Sequence, residues 1–250
     1  MKNKKGTIIT ILLVVVVLIA AVALLIRKNN EKPELPSYNP QATNSVVTKA
    51  NANEGENSAD VKEADIKVVK KYSYMQDDDY KMILVLENTG KGDAAVAIVG
   101  KIYDGANNVA GTERKSIFLD PGAQSVVDLD FDTEGVKVKN EDYKISVANA
   151  TSIKPGVSKI TSKSNNAGNI VTVTSKNTAS FDLQGVEAYV LFFDGDDVVD
   201  IESEEVGNEA SEVFEKGTTR TQKFDTHEPF KKIKVYYTQT QDEPDGEDND

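Results

Sequence analysis

The sequence predicts an all-β molecule: two tandem antiparallel β-sandwich domains preceded by one transmembrane helix. Three observations carry this. Residues 7–26 form a run with no charge and almost no polar group. Residues 62–240 alternate short strand patterns with turn signals, without a soluble helix pattern. The order of those strands and turns is written twice, most plainly in KIYDGANNVAGT (101–112) and LFFDGDDVVDIE (191–202).

Composition sets the outer limits. A chain of 250 residues holds one membrane segment and two domains of ordinary size. A net charge of −12 argues against nucleic acid, whose binding rests on Lys and Arg neutralising phosphates. The absence of cysteine excludes disulfides, thiolate zinc sites, thiol nucleophiles and a lipid-modified cysteine. An exported chain without disulfides leans bacterial. There is no tryptophan and a single histidine, His227, so aromatic cages and histidine clusters are hard to build.

TIITILLVVVVLIAAVALLI (7–26) carries no charge. Twenty helical residues span roughly 30 Å, the thickness of the hydrocarbon core. A helix in lipid satisfies its own backbone hydrogen bonds, which outweighs the modest helix propensity of the valine run at 14–17. The competing reading is a cleaved signal peptide, with Lys2, Lys4 and Lys5 in front and AVA (21–23) as the cleavage site. The apolar run is too long for that and continues through Leu24, Leu25 and Ile26, which favours a retained anchor. Basic residues are nearly balanced across the segment. A short basic tail before a large soluble portion places the N-terminus inside and the bulk of the chain outside the cell membrane.

Residues 29–59 are rich in Asn, Pro, Ser, Ala and Glu and keep no period, as in a disordered spacer. Thirty such residues reach roughly 30 Å. The C-terminal QDEPDGEDND is an acidic, solvated tail. The expected organisation is therefore a cytoplasmic tail at 1–6, a transmembrane helix at 7–26 and a disordered linker at 27–61. Sandwich domains follow at 62–153 and 154–240, with a disordered tail at 241–250.

In the first domain strands are expected at 65–74, 80–88, 94–104, 108–119, 123–131 and 143–150. In VVDLDF, Val127, Leu129 and Phe131 alternate with Asp128 and Asp130, the period of a half-buried strand. NTGKGD, DGANN, DPGA and DTEG supply the turns. In the second domain the strands are 169–177, 186–194, 197–206, 217–225 and 230–238. Each sheet has one apolar face and needs a second sheet to cover it. The Lys154-Pro155-Gly156 break favours two separate sandwiches over a single barrel.

With Ile102-Tyr103-Asp104 and Phe192-Phe193-Asp194, the turns after them and the preceding Asn88 and Asn177, the two copies resemble the FxLYD-type domain of exported bacterial proteins. The likeness covers about seventy residues of each copy. It departs at Gly100 and Val190, where the family places Phe. The resemblance implies an Ig-like sandwich, often behind an N-terminal anchor, and supplies no catalytic residues. The Asp-Gly pairs are expected to take the positive φ of hairpin turns, and Tyr103 and Phe193 to anchor strand ends in the core.

Chemistry is sparse. Asp77, Asp78 and Asp79, and the DGDD at 194–197, offer carboxylates to a hard cation but lack the spacing of a calcium loop. His227, between Asp225 and Glu228, lies in a Pro-containing turn. There is no nucleophile elbow and no phosphate-binding glycine loop. No residue is assigned a catalytic, cofactor-binding or metal role. The expectation is a non-catalytic interaction or scaffolding protein of the cell envelope, held to the membrane by its N-terminal helix. The alternative is a surface module sensing a small molecule, glycan or cation.

Overall fold

The computed structural model describes residues 60–76, 78–133, 135–207 and 212–240. The expected transmembrane helix, nearly all of the linker, Asp77 and the acidic tail lie outside them. Among the described residues no helix is long and apolar enough to cross a membrane.

The described chain is all-β, built of antiparallel sheets. Its first half contains β1 (Ile66–Gln76), β2 (Asp79–Asn88), β3 (Ala94–Tyr103), β4 (Val109–Leu119), β5 (Gln124–Asp132) and β6 (Asn140–Asn149). The second contains β7 (Ile160–Ala167), β8 (Ile170–Asn177), β9 (Leu183–Gln184), β10 (Val186–Asp194), β11 (Asp197–Glu205), β12 (Val213–Phe214), β13 (Thr219–Asp225) and β14 (Lys232–Gln239). A 3-10 turn precedes each half, at Glu63–Asp65 and Val157–Lys159. Eleven of these strands fall where alternation and turn residues place them, although β6 begins earlier than expected. Strand β7 was not anticipated. Every residue after Ile160 in ITSKSNNA is exposed, so no apolar alternation marks it. Its signal is the turn that follows, where Gly168 (φ 63°) leads a two-residue connection closed by Ala167 and Ile170.

The two halves share one strand order. In the first, sheet β1-β2-β5 faces β4-β3-β6; in the second, β7-β8-β13 faces β11-β10-β14. Residue pair Gln239 and Phe118 joins β14 to β4, making a six-stranded sheet, β11-β10-β14-β4-β3-β6. The short β9 and β12 pair with each other beside the second half.

Strand alternation decides which face is buried. In β2, Met82, Leu84 and Leu86 point inward to Val96, Ile98, Ile102, Leu129 and Phe131. Ile83 and Val85 point the other way, yet they are just as buried. With Val126 they meet Tyr189, Leu191, Phe193, Val198 and Ile201 from the second half. Strand β10 is likewise covered on both faces, with Ala188, Val190 and Phe192 in the main cluster and Tyr189, Leu191 and Phe193 in the second. This is why MILVL and AYVLFF read as continuous apolar runs rather than alternating ones. Eight apolar side chains buried at this junction contribute on the order of 10–20 kcal/mol of gross transfer free energy. Polar bonds cross it too: Ser125 Oγ donates to the Tyr237 carbonyl at 2.7 Å and Thr238 Oγ1 to the Val126 carbonyl at 2.7 Å. The Tyr72 and Phe193 rings meet edge to face at 5.6 Å. Apolar contact therefore continues across the break at 154–156.

Candidate functional site

The two motif turns are built differently. In the second half Asp194 and Asp197 close a two-residue turn whose first residue, Gly195, has φ 69°. This is the positive angle expected of the Asp-Gly pair. In the first half the connection is longer, and the positive φ of 68° falls on Asn107 rather than Gly105. The Asp104 side chain organises that loop. Its Oδ1 accepts from the Ala106 and Asn108 amides at 2.8 Å each, and its Oδ2 from Asn108 Nδ2 at 2.9 Å. These bonds, those of Asn108 foremost, hold its carboxyl below the usual range. Asp194 instead pairs with Lys231 at 2.6 Å in solvent, and Lys231 is held above its usual range by that hydrogen bond. The Asp104 carboxylate is committed to its loop, and that of Asp194 to an exposed ion pair.

The motif aromatics also part company. Ile102 and Phe192 enter the main core. Phe193 is buried in the junction cluster, and Tyr103, on the same strand face as Phe193, is only half-buried. The expectation that Tyr103 anchors its strand end in the core is not met, because among the described residues no second sheet covers that side of β3. Gly100 explains one departure from the motif. A Cβ there would lie 2.6 Å from Leu129 Cδ1 and 3.0 Å from Phe131 Cζ, so Leu129 and Phe131 already fill the space of a larger side chain.

Among the other candidates, Asp79 stands opposite Asp132 in the β2–β5 ladder, and the Asp78 carbonyl accepts from the Thr133 amide at 3.3 Å. His227 is exposed in the turn after β13. Among the described residues no group of three or more His, Cys, Asp or Glu is placed to hold a metal ion.

Alternation placed Asp128 on the solvent side of β5, and the second half covers that side. Burial pushes its carboxyl up to about 6; Lys81 and Lys115 oppose the shift and Asp130 adds to it. Its Oδ1 and the Tyr74 hydroxyl have no hydrogen-bond partner among the described residues. Nearby, Asp200 is nearly fully buried, receiving Thr226 Oγ1 at 2.5 Å and Gln76 Nε2 at 3.2 Å. Lys81 is ion-paired with Asp130. Asp128 and Tyr74, both shifted upward chiefly by burial, mark a polar cluster that sits between the halves rather than in a cleft. Only the sequence of the second half, read as a cover for the first, could have located it.

No protein-family model matches the chain, and no curated protein matches it. Among solved structures, the crystal structure of red sea bream transglutaminase is similar at 10% identity with a TM-score of 0.21. The match covers 68% of this chain and 29% of that one, so this chain spans less than a third of that enzyme's length.

Proposed function

We propose that this chain is a membrane-anchored extracytoplasmic protein of the bacterial cell envelope. In this reading two tandem Ig-like sandwiches of the FxLYD type act as a non-catalytic interaction scaffold. The helix at 7–26 sets the address, the linker at 27–61 sets the reach, and the paired repeats present surface. The observation that supports this most is the same strand order in both halves, with the Asp104 carboxylate spent on its turn and that of Asp194 on an exposed ion pair. A pair of packed sandwiches offers faces and loops to a partner.

Protease added to intact cells tests the address. Residues beyond 60 should be cut while a cytoplasmic control survives. Protection of this region while a surface control is digested overturns the reading.

A further inference from the structure

From residue 143 to residue 181 the chain carries five lysines and no Asp or Glu, in a protein with 41 acids. Strands β7 and β8 lie in that stretch and, with β13, form one sheet. Val171, Val173 and Phe224 point from this sheet into the core. The register sets out the opposite face in three rows: Thr161, Lys176 and Thr219; Lys163, Thr174 and Thr221; Asn165, Thr172 and Lys223. Every one of these side chains is exposed or half-exposed. Lys163, Lys176 and Lys223 have no ion-pair partner among the described residues. Asp225, at the rim beside the exposed Ile170, is the single acid on the face.

The corresponding face of the first half, on β1-β2-β5, is buried at the junction. Among the described residues its counterpart in the second half is uncovered, and it is cationic where the whole chain is acidic. Charge complementarity calls for an anion. Rows two residues apart are separated by roughly 7 Å and neighbouring strands by roughly 4.8 Å. The three ammonium-bearing positions thus span on the order of 15 Å, too far for one small anion and suited to an extended polymer. The face carries no arginine, so its cations are ammonium point charges, which bind phosphodiester oxygens without a fixed fork geometry. Five threonine hydroxyls supply further donors and acceptors. No aromatic side chain is present to stack bases, which disfavours single-stranded nucleic acid. One exposed apolar residue on a flat sheet disfavours insertion into lipid.

We propose that the outer face of β7-β8-β13 docks a linear polyol phosphate. This rests on the envelope reading only for where such a polymer is met; the binding itself does not depend on the anchor.

The test uses the full chain in phosphatidylcholine nanodiscs and a synthetic poly(glycerol phosphate), with binding followed by calorimetry. Binding at 20 mM salt should weaken on the order of 100-fold at 200 mM, as for about three released counterions. Combined Lys163→Glu, Lys176→Glu and Lys223→Glu should abolish it. Lys67→Glu, Lys70→Glu and Lys144→Glu, an equal charge change on the first half, should leave at least half the affinity. Should the first triple variant misfold, the same three lysines changed to Gln should still weaken binding at least tenfold. The proposal is overturned if the native chain fails to bind the polymer at low salt, or if both Glu triples lose binding equally. It is also overturned if vesicles with 30% phosphatidylglycerol or a thymidine oligonucleotide bind as well as the polymer. Polymer binding that persists in a chain whose cell-surface location has failed leaves this face assigned and removes only the address.

Discussion

Asn88 and Asn177, at the ends of β2 and β8, make the same set of hydrogen bonds in the two halves. Asn88 Nδ2 donates to the carbonyls of Gly92 (2.9 Å) and Leu119 (3.0 Å), and its Oδ1 accepts from the Gly90 amide (2.9 Å). Asn177 Nδ2 donates to the carbonyls of Phe181 (3.1 Å) and Phe214 (2.8 Å), and its Oδ1 accepts from the Ala179 amide (2.8 Å). The main chain agrees. Gly122 donates to the Asn88 carbonyl and Gly217 to the Asn177 carbonyl, with φ of 76° and 75°. The next residues, Thr89 and Thr178, bond back to the carbonyls of Asp65 and Lys159, which close the two 3-10 turns. Each asparagine ties its strand end to two loops.

Both asparagines are fully buried, so removing either leaves carbonyls and an amide without partners. Asn88→Ala and Asn177→Ala should each destabilise the fold by about 2–4 kcal/mol. Urea titration reads this as a lower midpoint at unchanged slope. A loss below about 0.5 kcal/mol would show that the network is incidental.

Asp128 has a raised carboxyl in the folded state, about 6 against an ordinary value of 3.8. The neutral form therefore favours folding. This site contributes no penalty below pH 4, begins to cost stability as pH rises from there, and costs the full amount above pH 6. The full penalty is on the order of 1–3 kcal/mol. Asp128→Asn should raise stability at pH 7.5 by about 1–2 kcal/mol and flatten the stability profile between pH 4 and pH 7. Thermal melts across that range, compared with the native chain, decide it; an unchanged slope contradicts a buried, ionising Asp128.

The two Asp-Gly pairs should respond differently to alanine. Neither Gly105 nor Gly195 has an atom within 4 Å of an added Cβ, so only backbone conformation separates them. Gly195→Ala forces a left-handed φ on alanine and should cost about 1–2 kcal/mol. Gly105→Ala carries no such strain and should change stability by less than about 0.5 kcal/mol. Equal effects would contradict the two turn geometries.

The junction makes the halves fold together. Leu191→Ala or Phe193→Ala should cost about 3–5 kcal/mol, as in a domain core, although both point away from their own half's interior. Scanning calorimetry of the native chain should show a single cooperative transition. Two separated transitions, one insensitive to Leu191→Ala, would mean that the halves are independent.

Local chemistry in the chain was enough to locate most strands. Alternation in VVDLDF and FKKIKVYYT, with Gly, Asn, Asp or Pro between runs, reflects forces acting over a few residues. The matched turns recur at matched spacing for the same reason. Strand β7 was not legible, because an edge exposed on both faces needs no apolar pattern. What folding alone decided involves residues far apart in the chain. Asn88 reaches Leu119 across 31 positions and Asn177 reaches Phe214 across 37, so neither network could be read locally. The outer faces of β2 and β10 are buried because the halves cover each other, and that cover turns Asp128 from a solvated acid into a perturbed one. Alternation says which side chains share a face; only the packing of one sheet on another says whether that face meets water.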